Sequence, residues 1–266
     1  LMDTFYPTDV METGYDILEN WVSRMMMFSY FKLKKIPFND IYLHGLVKGT
    51  DGQKMSKSRK NVIPMDEAQE KYGIDALRMV YFYQNSAGAS YSLTYDKLKN
   101  FRQFNNKIWN ASKFVLANSS ELRALSLEQR VHSSQLAAHS LKLDLSKNII
   151  NHIANLKEKI TKNIEDFEFG HATDSLYQEF WHTFCDLQIE QSKTFLKTFP
   201  EGEVREEDVQ RKTYNVEREE VVSVLIYTLK EYLKMLHPFI PFITERIWQE
   251  MPKVEGDHET LMYTRW

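Results

Sequence analysis

Apolar residues recur with two different periods along the chain, and the change of period divides it into two regions. In the first sixty residues, short apolar or alternating stretches predict strands over residues 8–13 and 41–47. Between them, apolar positions at helical spacing over 21–31 predict a helix that Asp16 caps and basic residues close. The first strand stops at Gly14, so strand, turn, helix and strand make one βαβ unit. In such a unit, ligands bind beyond the carboxyl ends of the strands.

A connector with shorter patterns follows. Asp66 and Gln69 have the spacing of a capping box for a short helix that ends at Gly73. Asp75 is then expected to cap a second short helix. Turn-forming residues predict a loop over 85–92.

From residue 96 onward the pattern is helical throughout. Apolar residues at helical spacing form stripes over 101–115, 149–164, 172–187 and 222–236. A loop is predicted over 197–215, and a short helix is predicted after Thr244. Large aromatic residues at the same spacing, and the single cysteine, are predicted to be core residues: Trp109, Trp181, Phe184, Trp248 and Cys185.

The charge of the chain is low overall but unevenly distributed. The 266 residues carry a net charge of −3, so no global positive charge indicates a nucleic-acid-binding protein. Charge is uneven, however. Residues 97–120 contain five basic and no acidic residues, whereas residues 201–220 contain eight acidic and four basic residues and predict a solvated linker. A polyanion would therefore bind to a local face.

One cysteine cannot form an intrachain disulfide, and it favours a reducing compartment, the cytoplasm. The longest apolar stretch, 21–31, is too short to span a bilayer. The eight histidines show no spacing typical of metal ligands, so no metal site is predicted.

The most informative local feature is Lys-Met-Ser-Lys-Ser at residues 54–58, the lysine loop, which follows an Asp51-Gly52 turn. Two ammonium groups, two hydroxyls and several backbone N–H groups on a short loop can hold a polyphosphate. Lysines on such a loop can stabilise the negative charge that develops as a phosphoryl group reacts. The alternative is a solvated basic turn, since Arg59 and Lys60 extend the run. The predicted position near the strand ends favours phosphate binding.

A series of motifs along nearly the whole chain stands in a fixed order: Pro7–Val10, Thr13–Ile17, Trp21-Val22, Arg24-Met25, His44–Val47, Lys54–Ser58, Asn61-Val62, Tyr72–Arg78, Asn106–Ala111, Phe184–Asp186 and Leu236–Glu245. Together they resemble the class I aminoacyl-tRNA synthetases, and most closely the valyl-tRNA synthetases among them. The resemblance implies an α/β remnant of a Rossmann-type catalytic domain, then a mostly α-helical anticodon-binding bundle, predominantly α overall. It also implies three segments: the end of the catalytic domain (1–60), a connector that contacts the tRNA stem (61–95) and the bundle (96–266).

The same resemblance implies an ATP-dependent ligase, a monomer, that activates valine and transfers it to tRNA(Val), with Mg²⁺ accompanying ATP. In the family, the residues matching Lys54 and Lys57 stabilise the transition state. The ATP-binding residues that it implies are Gly14, Asp16, His44, Gly45, Lys54, Met55, Ser56, Lys57 and Ser58. The implied amino-acid pocket consists of Asp16, Ile17 and Trp21.

The helix over 97–118 combines basic and aromatic residues, and a helix with a solvated basic face is the simpler interpretation. The absence of acidic residues over so many turns favours a surface that contacts phosphates. In the family this helix lies where the anticodon stem-loop docks, and an aromatic ring here could stack on an anticodon base. The implied tRNA-binding residues are Arg102, Lys107, Lys113 and Phe114.

The family's second ATP-binding motif, His-x-Gly-His, and its editing domain have no counterpart in the chain. We therefore expect a carboxyl-terminal part of such an enzyme, without the first half of the catalytic domain, that is inactive alone. Two alternatives stay open. One is a stand-alone tRNA- or RNA-binding module without catalysis, and the other is an isoleucyl- or leucyl-tRNA synthetase, against which the sequence of residues 13–17 argues.

Overall fold

The computed structural model describes residues 2–119, 141–196, 207–254 and 256–265. Its first unit contains α1 (Met2–Phe5), β1 (Thr8–Gly14), α2 (Ser23–Leu33) and β2 (Phe38–His44). The two strands are parallel, and Gly14 lies opposite His44 at their carboxyl ends. The predicted βαβ unit is therefore confirmed.

Two details of this unit differ from the sequence prediction. The second strand occupies 38–44 and not 41–47, because β1 pairs with it along its whole length. A 3-10 turn (Tyr15–Ile17) and a π-helical turn (Leu18–Val22) separate β1 from α2. Asp16 lies inside the first of these turns and makes no capping hydrogen bond, so its prediction as a helix cap is wrong. Its carboxylate contacts the lysine loop instead.

The connector consists of two short helices, α3 (Met65–Tyr72) and α4 (Ile74–Phe82). Gly73 separates them with a φ of 87°, so the first helix ends where the sequence predicts. The loop predicted to follow contains a two-residue strand, β4 (Tyr91–Ser92). This strand pairs in parallel with another two-residue strand, β3 (Val47–Lys48).

Neither cap predicted in the connector is present. α3 has no side-chain cap, so Asp66 forms no capping box. Asp75 lies within the first turn of α4, and its carboxylate accepts hydrogen bonds from the backbone N–H groups of Phe242 (3.3 Å) and Ile243 (2.7 Å). These N–H groups belong to the first turn of the last long helix. Asp75 therefore caps a helix far away in the sequence and ties the connector to the bundle.

The remaining helices form the predicted bundle: α5 (Tyr95–Ser119), α6 (Asp144–Glu165), α7 (Phe169–Gln178), α8 (Glu190–Leu196), α9 (Glu207–Leu236) and α10 (Pro241–Glu250). An eleven-residue π-helical segment, Glu179–Ile189, joins α7 to α8 without a break. α10 begins at Pro241, so Thr244 lies inside the helix that was predicted to follow it.

The acidic stretch before α9 also differs from the prediction. The prediction of a loop over 197–215 is wrong for its second part, because α9 begins at Glu207. Residues 197–206 lie outside the described residues. Glu220 was assigned to a solvated linker over 201–220, yet it is only 6% exposed. Its carboxylate accepts hydrogen bonds of 3.0 and 2.9 Å from the two backbone N–H groups that precede α6.

The main core lies in the connector and the bundle. The predicted stripes are buried there, and nearly every residue of α9 from 221 to 236 is buried, as expected for a helix that is surrounded on all sides. The aromatic prediction holds: Phe184 and Trp248 are fully buried, while Trp109 and Trp181 pack partly buried against the core. Cys185 is buried too, and burial raises the pKa of its thiol to about 12.

The βαβ unit contrasts with this core, because α2 exposes large apolar side chains. We call Met27, Phe28, Tyr30 and Phe31, which are 63–69% exposed, the α2 patch. An apolar surface of this kind is typical of a face that another protein segment covers. Among the described residues, no helix is both long and apolar enough to cross a membrane.

Candidate functional site

The carboxyl ends of β1 and β2 form a rim at which the first group of predicted residues meets. Gly14 closely approaches two of them: a Cβ on it would lie 2.7 Å from an Asp16 carboxylate oxygen, so that side chain would have to move, and 3.5 Å from the His44 ring. His44 donates from Nδ1 to the Gly45 carbonyl oxygen (2.8 Å), which fixes its ring at the strand end. A cavity of about 340 Å³ adjoins His44 and Gly45. The structure thus brings these four predicted ATP-binding residues together.

Gly45 must be glycine because its backbone packs closely against another segment. A Cβ at this position would lie 1.7 Å from the carbonyl oxygen of Ala89, so no side chain fits without moving the backbone. The segment around Ala89 runs beside the rim, with Gly88 N–H donating to Leu43 O (2.7 Å) and Tyr91 N–H donating to Leu46 O (3.1 Å). The connector therefore forms one wall of the candidate site.

The lysine loop leaves this rim as the second arm of a hairpin. Lys54 pairs across the hairpin with Lys48, and Met55 N–H donates to Val47 O (3.0 Å). The Met55 side chain packs against the core. Its side chain and its N–H group therefore both have protein partners, which argues against direct ATP contact by the predicted residue Met55.

Asp51 and Asn61 hold the hairpin in shape. The Asp51 carboxylate accepts hydrogen bonds from Gln53 N–H (3.0 Å) and from the Asn61 amide (3.0 and 3.1 Å). The Gln53 N–H group is the main reason that the pKa of Asp51 is lowered. The Asn61 amide oxygen in turn accepts from Ser56 N–H (2.9 Å). Sequence reasoning assigned no role to this pair, although Asp51 marked a turn and Asn61 belonged to a motif.

One ion pair joins the lysine loop to the rim. The Lys54 ammonium nitrogen lies 2.9 Å from an Asp16 carboxylate oxygen. This hydrogen bond is the main reason that the pKa of Asp16 lies below its ordinary value. The Ser56 and Ser58 hydroxyl groups are 2.7 Å apart on the outer face of the loop. Lys57 begins a 3-10 turn, Lys57–Arg59, that closes it.

The other predicted amino-acid-binding residues do not form a closed pocket. Ile17 is 40% exposed and Trp21 is 53% exposed, so together with Asp16 they line an open surface. Among the residues that the structure describes, no group of three or more His, Cys, Asp or Glu side chains could hold a metal ion.

The four predicted tRNA-binding residues lie on α5 but face two directions. At 100° per residue, Arg102 and Lys113 point about 120° away from Lys107 and Phe114. Arg102 donates to the Lys71 carbonyl oxygen (2.8 Å) of the connector, while Lys113 lines a groove between α5 and α10.

On the other face, Lys107 is already paired. Its ammonium lies 2.8 Å from Asp186 and 5.3 Å from the Trp181 ring centroid. The ion pair raises the pKa of Lys107 and lowers that of Asp186. Phe114 is half-buried, with the Lys193 ammonium 5.8 Å from its ring centroid. A phosphate that binds Lys107 must therefore compete with Asp186.

Two protein families match the chain, one over the region of the βαβ rim and the lysine hairpin and the other over most of the helical bundle. Residues 1–93 match the family described as tRNA synthetases class I (I, L, M and V). Residues 146–266 match the family described as anticodon-binding domain of tRNA ligase. The chain therefore contains domains of the class I aminoacyl-tRNA synthetases.

Among its relatives are valine–tRNA ligases. The chain is 39% identical over 265 residues to the valine–tRNA ligase of Pelagibacter ubique, a match that covers 100% of the chain and 28% of that relative. It is 36% identical over 261 residues to the valine–tRNA ligase of Aquifex aeolicus, covering 98% of the chain and 21% of that relative. The chain thus spans about a quarter of the length of the curated relatives it matches.

Solved structures share the fold. A LeuRS of Agrobacterium radiobacter, in a ternary complex with tRNA and LeuAMS, matches with a TM-score of 0.65 at 18% identity, over 93% of this chain and 28% of that one. Methionyl-tRNA synthetase of Mycobacterium tuberculosis, in complex with methionyl-adenylate, matches with a TM-score of 0.68 at 16% identity, over 91% of this chain and 44% of that one. These likenesses support a Rossmann remnant followed by a helical bundle, the fold class that the sequence predicts.

Proposed function

We propose that this chain is the part of a valine–tRNA ligase that supplies the lysine loop and the tRNA-binding bundle. The observation that carries the proposal is the position of Lys54, which reaches Asp16 at the carboxyl ends of the parallel strands. In the proposed reaction the valine carboxylate attacks the α-phosphorus of ATP and pyrophosphate leaves. A terminal ribose hydroxyl of tRNA(Val) then attacks the carbonyl carbon of the valyl-adenylate, and AMP leaves. Likeness to valine–tRNA ligases along the whole chain supports this choice of amino acid.

The lysine loop acts on the phosphates. As pyrophosphate leaves, negative charge grows on oxygens that the ammonium groups of Lys54 and Lys57 can neutralise, and fixed charges that meet developing charge are among the largest contributions to catalysis. His44 and Gly45 line the cavity of about 340 Å³ at the rim, where the nucleotide would bind. Mg²⁺ enters this proposal as a part of the ATP substrate, held by its phosphates.

The amino-acid side of the site rests on Asp16. Its carboxylate can accept the valine ammonium, and Ile17 and Trp21 can frame a β-branched side chain. Lys54 occupies that carboxylate in this structure, so a substrate that binds Asp16 would release Lys54 toward the phosphates. Discrimination of one methylene in such a pocket is worth only ~1–3 kcal/mol.

The bundle, which we assign to residues 96–266, would bind the anticodon stem-loop through Arg102, Lys107, Lys113 and Phe114. Residues 1–60 would complete the catalytic domain, and residues 61–95 would contact the stem of the tRNA. The absence of acidic residues from position 97 to the end of α5 supports the phosphate contacts, and the half-buried Phe114 ring is partly exposed to a base.

The test is valine-dependent exchange of pyrophosphate into ATP by the complete protein that contains this chain. The expected result is exchange with valine that is about 10- to 200-fold more efficient than with isoleucine or leucine, because pocket contacts distinguish them. A preference for isoleucine or leucine would overturn the amino-acid assignment. The isolated chain is expected to show no exchange, since its amino-acid surface is open.

A second function, RNA binding without chemistry, is favoured for the isolated chain by that same open surface at Ile17 and Trp21. Titration of the chain with tRNA(Val) and with a mismatched tRNA at two salt concentrations measures it. If the chain binds tRNA and the complete protein shows no pyrophosphate exchange, RNA binding without chemistry would be the function.

A further inference from the structure

A separate cavity of about 370 Å³ lies between α4, α5 and α7. Its floor consists of Val80 and Phe101, which are 2% and 5% exposed. Its volume falls within the range of small-molecule sites. It lies near the start of α5, about 20 Å along that helix from Phe114. The proposed roles in adenylate formation and anticodon binding leave this cavity unused.

Two tyrosines form the aromatic wall of the cavity. The ring centroids of Tyr83 and Tyr177 are 5.2 Å apart and inclined by 64°, and both rings are half-buried, with part of their surface toward the cavity. Burial and the neighbouring Asp174 raise the pKa of Tyr83 to about 12, so its hydroxyl stays uncharged at neutral pH. The two rings therefore form an angled aromatic wall, and the Asp174 carboxylate lies behind it at the Tyr83 hydroxyl.

Polar groups with a definite orientation also line the cavity. Asn85 donates from its amide nitrogen to the carbonyl oxygens of Val80 (3.0 Å) and Tyr81 (2.7 Å), which leaves its amide oxygen as an acceptor. The neighbouring Gln84 has a left-handed φ of 55°, an uncommon conformation for a residue other than glycine, and its amide nitrogen donates to the Asp174 carboxylate (3.0 Å).

Lys97 and Asn100 complete the rim of the cavity. They stand one turn apart on the same face of α5, and both are exposed. Among the described residues, neither side chain has a hydrogen-bond or ion-pair partner, and no carboxylate lines the cavity. The two tyrosines therefore share the cavity with one cation, the amides of Gln84 and Asn100, and the amide oxygen of Asn85.

We propose that this cavity binds a single unpaired nucleotide. The base lies against Tyr83 and Tyr177, its hydrogen-bonding edge meets the amides of Asn85 and Asn100, and its phosphate pairs with Lys97. Aromatic faces with amide groups are the means by which proteins hold single bases, and a lysine supplies the phosphate contact. The nucleotide can come from an RNA chain or be a free mononucleotide, since both present the same chemistry.

The test titrates the chain with AMP, CMP, GMP and UMP separately by saturation-transfer NMR. At least one is expected to bind, and its dissociation constant should rise about 5- to 10-fold in Lys97→Ala and in Asn100→Ala, the loss of one polar contact. Lys99→Ala is the matched control, because Lys99 is an exposed lysine of the same helix outside the cavity. Absence of binding by all four at millimolar concentration, or an equal loss in Lys99→Ala, would overturn the proposal.

A second arm identifies the source. A tRNA transcript containing 4-thiouridine is photo-crosslinked to the chain, and the crosslinked peptide is mapped by mass spectrometry. Crosslinks within residues 95–104 that the bound mononucleotide suppresses identify an RNA nucleotide as the ligand. Mononucleotide binding without such crosslinks identifies a free nucleotide. Neither arm uses valine or measures exchange, so the outcome is independent of whether the chain serves a valine–tRNA ligase.

Discussion

The ammonium of Lys54 lies 2.9 Å from the carboxylate of Asp16, and this contact joins the lysine loop to the turn that follows the first strand. Both side chains are substantially exposed, at 60% and 34%, so the pair adds little to stability. Its effect is on position. The ammonium is held beside the rim, and the backbone of the loop is fixed separately by Asp51 and Asn61. The Lys54 side chain can therefore change partner without unfolding the hairpin.

A pH titration can verify this pair. Since Lys54 lowers the pKa of Asp16, the pair is intact above the ordinary carboxyl pKa and is lost as the pH falls through the lowered pKa of Asp16. Lys54→Met should raise the pKa of Asp16 toward its ordinary value, as measured by carbon NMR of the labelled carboxyl group. Lys48→Met, on the other arm of the hairpin, should leave it unchanged. An unchanged pKa in Lys54→Met would show that the contact is absent in solution.

The catalytic proposal predicts a kinetic effect. In the complete protein that contains this chain, Lys54→Ala should lower the rate of valine-dependent pyrophosphate exchange by ~100- to 1,000-fold, mainly in kcat, as for removal of one group that stabilises transition-state charge. Lys60→Ala, an exposed lysine just outside the loop, should change the rate less than about 3-fold by the same reasoning. Equal effects of the two substitutions would contradict a specific role for Lys54.

The Lys107–Asp186 pair makes a prediction about tRNA binding. If Lys107 contacts a phosphate, Asp186→Asn should strengthen tRNA affinity by about 2- to 3-fold, because the carboxylate no longer competes for the ammonium. Lys107→Ala should weaken binding and reduce the slope of log affinity against log salt by about 1. Lys147→Ala, in an exposed pair on α6, is the control. Titrations at 50 and 200 mM salt measure all three, and equal slopes for wild type and Lys107→Ala would remove Lys107 from the interface.

The distant cap formed by Asp75 predicts a loss of stability. Asp75→Ala leaves the N–H groups of Phe242 and Ile243 without their acceptor, so the free energy of unfolding should fall by about 1–3 kcal/mol in urea denaturation followed by circular dichroism. Asp66→Ala removes an exposed acid that caps nothing, and it should change the free energy of unfolding by less than ~0.5 kcal/mol. Similar losses in both variants would mean that Asp75 is not a cap.

The α2 patch predicts a change in association. The double substitution Phe28→Ser and Phe31→Ser removes two rings that are 68% and 69% exposed, so it should reduce self-association in light scattering. The free energy of unfolding should change by less than about 1 kcal/mol, because neither ring is part of the core. Phe180→Ser, at a fully buried ring, should by contrast lower it by more than ~3 kcal/mol. Unchanged association would show that the patch is not adhesive.

The sequence predicted the features that depend on local pattern. Periodicity located the parallel strands and the long helices, and the glycines at 14 and 73 marked real ends. The position of the lysine loop followed from the rule that parallel strands end at one edge. These predictions succeed because neighbouring residues determine them.

The features that failed depend on distant partners. Asp16, Asp75 and Glu220 are carboxylates whose local sequence fits a helix cap or a solvated loop, yet each finds its partner 38 to 168 residues away. β3 and β4 are two residues long, too short for any periodicity. The open surface at Trp21 and the pairing of Lys107 were equally invisible, because they depend on what packs nearby.

The short pairing of β3 with β4 has a mechanical consequence. Ser92, opposite Lys48 at the base of the hairpin, lies three residues before the start of α5, a rod about 37 Å long. If that rod pivots at its base, a tilt of 5° would move its far end by about 3 Å while shifting the hairpin by only a fraction of an ångström. Motion at the remote end of α5 would thus reach the lysine loop greatly reduced in amplitude but along a continuous, hydrogen-bonded backbone.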